Sequence, residues 1–209
     1  MKRDDIITEA DARTIESGGA VSLTPGGHIT PLALDTLRAR KVTVLRDVVD
    51  VDLLGLAPVS EIRRIAIGSD HSGVTLKAAL RDDLRRRGLA VDDIGTHGTE
   101  AVDYPDIAAI VARMVAHHEA DAGIVIDGAG LGSTIAANKI NGVRAAMCTD
   151  QTLARYAREH NGANVLALGA SLVSEEAAKA IVQTWINTPM REARYVRRLA
   201  KISDLERTR

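Results

Sequence analysis

The stretch best suited to chemistry is a carboxylate followed by a glycine loop. Asp127 ends the apolar run AGIVID, and Gly128, Gly130 and Gly132 follow it at alternate positions. Backbone N–H groups in such a loop can face a ligand, and the N-terminus of a following helix adds positive potential. The stretch therefore predicts a site that holds a phosphate or stabilises a developing oxyanion.

The spacing of these glycines disfavours a dinucleotide site. The Rossmann fingerprint needs G-x-G-x-x-G and an acidic residue on the following strand. Here the loop reads GAGLGS, and the next apolar run, VRAAMC, ends without that acid. Because Gly-rich turns between strands and helices are common in α/β folds, the loop alone does not define its ligand.

A second polar cluster, SDHSG at 69–73, follows the apolar run RIAIG. In an open parallel sheet, ligands bind beyond the carboxyl ends of the strands, where the strand order reverses. In the order 2-1-3-4-5 this point lies between the first and third strands, so we expect Asp70 and His71 beside Asp127. The alternatives are that Asp70 is a helix N-cap and that His71 has an ordinary structural role.

The elements that would position these residues alternate from Arg63 onward between short apolar runs and amphipathic stretches. The runs at 64–68, 89–94, 122–127, 143–148 and 164–168 are typical of strands. Helical stretches lie between them, and the last one begins with Ser174 as an N-cap. The pattern predicts an α/β fold, a doubly wound five-stranded parallel sheet in a Rossmann-like three-layer arrangement.

The first sixty residues have a different pattern. They predict a short strand, a Gly-rich turn, a helix with Thr30 as N-cap and Pro31 at its first position, and a strand at 41–45. We assign residues 1–60 to a small N-terminal α+β module and residues 61–209 to the main domain. A linker is predicted over 48–64, with a boundary near 58–62. The module is too small to predict a robust core of its own.

Composition limits the classes of function. The 209 residues suffice for one sizeable core and an appendage, and a net charge of -1 gives no field that favours nucleic acid or anionic lipid. Cys148, the one cysteine, excludes an internal disulfide, and we expect a buried, inert thiol. No signal peptide is recognisable, and no segment approaches the ~18 apolar residues that span a bilayer. We expect a soluble, cytoplasmic protein.

Five separated segments resemble the ribose-5-phosphate isomerase type B family, which also includes galactose-6-phosphate isomerase subunits. They are IAIGSDHSGVTLK, DIGTHGTEAVDYPD, GIVIDGAGLGSTIAANKINGVRAAMCTD, AREHNGANVLALGA and EARYVRRLAKI. The resemblance implies aldose–ketose isomerisation of a phosphorylated sugar, most simply ribose 5-phosphate and ribulose 5-phosphate, or another pentose or hexose phosphate. It also implies a homodimer or dimer of dimers with active sites at the subunit interface, and neither metal nor cofactor.

The resemblance implies a role for each matched side chain. Asp70 would bind substrate hydroxyls, and His71 would lie near the phosphate. His160 would open the sugar ring, Asn161 would contact the substrate, and Tyr104 in the VDYPD loop would line the site.

The charged and backbone groups are assigned in the same way. Arg194 and Arg198 would hold the phosphate from the partner subunit. The backbone donors for the enediolate would come from three glycines: Gly128, Gly130 and Gly132.

The chain departs from the family at the catalytic base. Many members have a cysteine where this chain has Asp127, and others have a glutamate six positions later, where this chain has Ser133 as a substrate-lining residue. The threonine common two residues after the cysteine is Ala129. Asp127 can serve as the base, because a carboxylate can take a proton from one carbon and return it to the next. In the alternative interpretation Asp127 only caps the following helix, and the protein is a non-catalytic sugar-phosphate binder or scaffold.

The N-terminal segment SLTPGGHITPLALDTLRARKVTV resembles one at the start of some enzymes of bacterial microcompartments, notably ethanolamine-utilisation cobalamin adenosyltransferases. The resemblance implies shell or cargo partners for residues 1–60 and a location inside a microcompartment. The alternative is an extension that covers a sheet edge.

Overall fold

The structure, a computed structural model, describes residues 3–46, 56–58, 61–190 and 193–207. The chain divides into two compact units, Met1–Leu54 and Gly55–Arg209. Most of the predicted linker over 48–64 lies outside the described residues. No described helix is long and apolar enough to cross a membrane.

The first unit is a three-stranded parallel sheet with two helices. Its elements follow in the order β1 (Arg3–Ile7), α1 (Glu9–Thr14), β2 (Ala20–Ile29), α2 (Pro31–Ala39) and β3 (Thr43–Arg46), and β2 is the central strand. The hydroxyl of Thr30 accepts a hydrogen bond from the N–H of Ala33, and Pro31 is the first residue of α2, as the sequence predicts.

Two predictions for this unit are wrong. The Gly-rich stretch is not a turn but part of the ten-residue strand β2, where Gly26 has φ of 84° and the register against β1 shifts. Gly within a strand often marks such an irregularity. The unit also has a core of its own, because β1 and α1, which the sequence patterns did not reveal, complete it. This core contains Ile7, Ala12, Val21, Leu23, Ala33, Leu37 and Val42.

The second unit contains the predicted doubly wound fold. Its elements are β4 (Arg64–Ser69), α3 (Val74–Arg86), β5 (Ala90–Gly95), α4 (Tyr104–Ala116), β6 (Ala122–Asp127), α5 (Leu131–Ala137), β7 (Ala145–Met147), α6 (Gln151–Asn161), β8 (Val165–Gly169), α7 (Glu175–Ile186) and α8 (Ala193–Glu206). The five strands are parallel, which confirms the α/β prediction. Ser174 caps α7 through the N–H of Ala177, also as predicted.

The order of the strands differs from the expected one at one end of the sheet. The sheet runs β5-β4-β6-β8-β7, so the last two strands along the chain are exchanged relative to 2-1-3-4-5. Every residue of β8 is buried, whereas β7 has three residues that are all half-buried. A central parallel strand must be apolar on both faces, and a short strand suits an edge. The neighbours β4 and β6, which define the predicted switch point, are unaffected.

Successive strand residues face opposite layers of the core. Ile65 and Ile67 pack into one hydrophobic cluster, with residues of α3, α6 and α7, while Ala66 packs into the other, with residues of α4 and α5. This alternation produces the three layers and leaves the loops at the strand ends free to build a site. Cys148 is buried as predicted, and burial raises the pKa of its thiol to about 12.

Candidate active site

Asp127 lies at the carboxyl end of β6 and is held by the loop that follows it. Its side chain is buried, with 5% of the residue exposed. Oδ1 accepts hydrogen bonds from the N–H of Ala129 at 2.9 Å and from the N–H of Gly130, and Oδ2 accepts one from the N–H of Ser133 at 2.8 Å. The carboxylate therefore caps the glycine loop and the first turn of α5.

Capping leaves part of the carboxylate available for chemistry. Two carboxylate oxygens offer about four lone-pair sites, so three donors leave one site on Oδ2. The N–H of Gly130 points at Asp127, not at a ligand. The N–H groups of Gly128 and Gly132 have no acceptor among the described residues. Two of the three predicted glycine donors are therefore available to a substrate.

Two of these glycine positions are closely constrained. Gly130 has φ of 76°, and a Cβ there would lie 2.9 Å from the carbonyl carbon of Leu168. A Cβ on Gly132 would lie 2.5 Å from Cε2 and Cζ of Tyr104. Tyr104 begins α4, and its ring lies directly on the backbone of the glycine loop, as a residue lining the site would. Ser133, the next residue, is buried at the start of α5.

Asp70 and the glycine loop are neighbours, as predicted. The N–H of Asp70 donates to the carbonyl of Ile126 at 3.2 Å. Oδ1 of Asp70 accepts hydrogen bonds from the N–H and hydroxyl of Ser72, at 2.9 and 2.6 Å, and from the N–H of Gly73 at 3.3 Å. Asp70 is thus the N-cap of a 3₁₀ turn, while its Oδ2 has no partner among the described residues. That oxygen can accept a hydrogen bond from a substrate hydroxyl.

His71 is exposed on the same edge and is oriented by the loop between β5 and α4. Its Nδ1 accepts a hydrogen bond from the N–H of Val102 at 3.4 Å. In the neutral ring this assigns the proton to Nε2, which can then donate to an anion such as a phosphate oxygen.

The other predicted residues form a second group around aromatic rings. The His160 ring stacks on Tyr156, with centroids 4.7 Å apart, and is tilted against Tyr195 at 4.8 Å. Arg194 donates to the Tyr195 hydroxyl at 2.9 Å, and the guanidinium of Arg198 lies 5.8 Å from the Tyr195 ring centroid. This group therefore combines cations with flat apolar surfaces.

Asn161 belongs to this second group. It follows His160 at the end of α6 and donates from its side-chain amide to the carbonyl of Tyr156 at 3.1 Å. Its side-chain oxygen remains available as an acceptor among the described residues.

Within one chain, the group around Asp127 and the group around His160 lie far apart. His160 and Asn161 end α6, just before β8, and the first residue of β8, Val165, pairs with Gly123 near the amino end of β6. Asp127 lies four residues further along β6, about 13 Å away at the usual strand rise. The carboxyl edge thus carries Asp70, His71, Tyr104 and Asp127, and the opposite, amino edge carries His160, Asn161, Arg194 and Arg198.

The comparisons with known proteins identify the family. The model of the family described as Ribose/Galactose Isomerase matches residues 65–202. Ribose-5-phosphate isomerase B of Escherichia coli is 42% identical over 148 residues, which cover 71% of this chain and 99% of that protein. The chain belongs to the ribose/galactose isomerase family.

Other relatives within the family point the same way. The structure of Clostridium thermocellum ribose-5-phosphate isomerase B matches with a TM-score of 0.68 and 50% identity, over 69% of this chain and 98% of that one. D-erythrulose-4-phosphate isomerase of Pectobacterium atrosepticum is 41% identical over 59% of this chain and 82% of that protein. The first unit lies outside the residues that the family model matches. The described residues contain no group of three or more His, Cys, Asp or Glu side chains that could hold a metal ion.

Two residues that contact the predicted site were missed by the sequence analysis. Tyr156 and Tyr195 flank His160, and Tyr104 covers the glycine loop. The chain has 3 tyrosines, 1 tryptophan and no phenylalanine. Because aromatic residues are so scarce in this chain, the position of each tyrosine near predicted site residues in the sequence could have indicated that the tyrosines line the site.

Proposed function

We propose that this protein is an aldose–ketose isomerase that interconverts ribose 5-phosphate and ribulose 5-phosphate. The observation that carries the proposal is the match to ribose-5-phosphate isomerase B over 99% of that protein. The carboxyl edge supports it, because the buried carboxylate of Asp127 there adjoins a glycine loop with available N–H groups, and the neighbouring strand end carries Asp70 with a free oxygen.

The active site of the proposal is shared by two copies of the chain. Asp127 and His160 lie at opposite edges of one sheet, so a complete site needs the carboxyl edge of one copy and the amino edge of another. His160 of the second copy opens the sugar ring by moving the proton of the C1 hydroxyl to the ring oxygen as the bond between C1 and that oxygen breaks. Arg194 and Arg198 of that copy bind the phosphate together with Nε2 of His71.

In the chemical step, Oδ2 of Asp127 takes the proton from C2 of the open-chain aldose. Negative charge develops on the C1 oxygen, and the N–H groups of Gly128 and Gly132 stabilise the enediolate. The proton of the C2 hydroxyl then moves to the C1 oxygen, and the carboxyl group returns the abstracted proton to C1 as the C2 ketone forms. One carboxylate can do both because C1 and C2 are adjacent.

The test is turnover of purified protein with ribose 5-phosphate in the presence of a chelator. We expect formation of ribulose 5-phosphate, together with exchange of the C2 proton into heavy water. A panel of tetrose, pentose and hexose phosphates would identify the best substrate. Binding without turnover or exchange across this panel would contradict the proposal and favour the non-catalytic binder, for which the three hydrogen bonds to Asp127 are the supporting observation.

For the first unit we propose an association role, with a microcompartment shell or cargo protein as partner. Its own core and its position outside the family match support a function separate from isomerisation. Deletion of residues 1–54 should leave turnover intact and abolish co-localisation with the shell. The deletion spares Leu56, whose carbonyl accepts a hydrogen bond from Arg144. Loss of turnover in the truncated protein would contradict a separate role.

A further inference from the structure

Lys77 is a charged residue inside the second unit, near the N-terminal end of α3. Only 1% of it is exposed. Its Nζ lies 2.6 Å from Oδ1 of Asp93 and donates to the carbonyls of Ile94 and Thr96, at 3.1 and 2.9 Å. A buried ammonium is costly unless it is paired and hydrogen-bonded. Here the ammonium is paired with the Asp93 carboxylate and donates to two backbone carbonyls, one at the end of β5 and one at the start of the next loop.

The loop that Lys77 holds reaches two predicted substrate contacts. It leaves β5 at Gly95, which has φ of 90° and where a Cβ would lie 2.8 Å from the carbonyl oxygen of Ser69. At its other end the N–H of Val102 donates to His71, and Tyr104 then lies on the glycine loop.

Lys77 also joins this loop to the other side of the site. Helix α3 follows directly after the turn His71–Gly73 that Asp70 caps. Hydrogen bonds from α3 to the carbonyls of residues 94 and 96 therefore fix the two loops relative to each other.

We propose that Lys77 is a positioning residue for isomerisation. It holds the loop between β5 and α4 so that Val102 orients His71 and the Tyr104 ring covers Gly132. It touches neither the substrate nor the reacting atoms. The inference rests on the proposed function, because it takes His71 and Tyr104 as substrate contacts.

Arg81 provides a matched control on the same helix. Its Nη1 lies 2.9 Å from Oδ2 of Asp93, so Lys77 and Arg81 bind the two oxygens of one carboxylate. Arg81 makes no hydrogen bond to a carbonyl of the loop among the described residues. Arg81→Met therefore removes an ion pair to Asp93 and leaves the loop held. Lys77→Met removes an ion pair to Asp93 and also the two hydrogen bonds that hold the loop.

The kinetic test compares the two variants. We expect Lys77→Met to lower kcat/KM by about 10²-fold, the scale of a misplaced binding group, and Arg81→Met to change it less than about twofold. In a Tyr104→Ala background, Lys77→Met should cost much less, because both changes disturb the same contact. Equal losses in the two single variants, or fully additive losses with Tyr104→Ala, would overturn the proposal.

A further variant separates positioning from folding. Replacing a buried ion pair by apolar residues is often neutral for stability, so Lys77→Met/Asp93→Leu should melt close to the wild type. Arg81 has 25% of its side chain exposed and can turn to water in this variant. We expect turnover to stay low although stability returns. Recovery of turnover together with stability would show that Lys77 has only a structural role.

Hydrogen exchange tests the same inference without any turnover. In Lys77→Met the Val102 amide should exchange faster than in the wild type, and in Arg81→Met it should not. If this contrast appears but the wild type isomerises no sugar phosphate, the proposed function fails and the positioning of the loop stands. If the amide exchanges equally in all three proteins, the positioning proposal fails whatever the activity.

Discussion

The two edges of the five-stranded sheet carry different chemical groups. The carboxyl edge consists of backbone N–H groups and short acidic side chains; Asp127 and Asp70 are only 5% and 7% exposed and are held by neighbouring amides. The amino edge consists of long cationic and aromatic side chains, with His160 between two tyrosine rings. The first arrangement suits proton transfer, which needs fixed distances. The second suits binding of a phosphorylated ring, which needs charge and flat surfaces.

In the proposed function neither edge is a complete site. In that proposal the carboxyl edge supplies the base and the oxyanion donors, and the amino edge supplies the histidine that opens the ring and the arginines that bind the phosphate. Substitutions at one edge at a time therefore test directly whether the two edges have these different roles.

The largest effect is expected at Asp127. Asp127→Asn should lower kcat by about 10²–10⁴-fold, because the amide removes the proton acceptor. It also places an NH₂ group against backbone N–H donors, so some stability should be lost as well. Asp127→Cys, which restores the residue common in the family, should retain part of the activity. Steady-state kinetics with ribose 5-phosphate, well below the melting temperature of each variant, give the measurement.

Asp150 provides the control for loss of a cap. Its Oδ1 accepts hydrogen bonds from the N–H groups of Thr152 and Leu153, at 2.7 and 2.9 Å, at the start of α6. Asp150→Ala should cost about 1 kcal/mol of stability and leave turnover unchanged. A wild-type rate in Asp127→Asn would mean that Asp127 is only a cap, and the free oxygen of Asp70 would become the next candidate base.

The three glycines should differ in a graded way when each is replaced by alanine. Gly130→Ala should be worst for stability and turnover, because of its positive φ and the clash with the backbone of Leu168. Gly132→Ala should displace the Tyr104 ring and lower turnover with a small loss of stability. Gly128→Ala, whose Cβ would meet only the Ser72 hydroxyl at 3.7 Å, should be tolerated. Thermal melts and kcat/KM check this order, and equal effects at all three positions would contradict it.

The smallest effect concerns acid stability. Burial alone would raise the pKa of Asp93, but hydrogen bonds from Lys77 and Arg81 outweigh it and hold that pKa below its ordinary value. A lowered folded-state pKa stabilises the protein above the unfolded value of about 3.9, and this contribution is lost as the pH falls through the folded value. In urea unfolding, the stability difference between wild type and Asp93→Asn should shrink below about pH 4. A constant difference down to pH 3 would contradict this.

Much of the fold could be predicted because local patterns determined it. The run at 122–127 was a strand because its apolar residues are continuous, and Thr30-Pro31 began a helix because both residues suit that position. The strand order could not be predicted in full, since the difference between β7 and β8 lies in burial after folding. The N-terminal core was missed because β1 and α1 have weak patterns.

The sequence predicted which residues belong to the site, but not how those residues are arranged in space. The spacing placed Asp70 and Asp127 at neighbouring strand ends, and the structure confirms that proximity. The sequence offered capping of the following helix only as the alternative role of Asp127, because its hydrogen bonds from Ala129, Gly130 and Ser133 depend on the exact path of the chain there. The separation of His160 from Asp127 follows from chain direction: one residue ends a helix and the other ends a strand.

The most direct test of the account is a hybrid dimer. Asp127→Asn and His160→Ala chains, carrying different tags, are co-expressed, and the hybrid is purified through both tags. If each active site is shared by the two copies, one of the two sites in the hybrid combines the intact Asp127 of one copy with the intact His160 of the other. We predict about half of the wild-type activity per dimer, although each parent homodimer is nearly inactive. A hybrid no more active than the parents would contradict a site divided between the two edges.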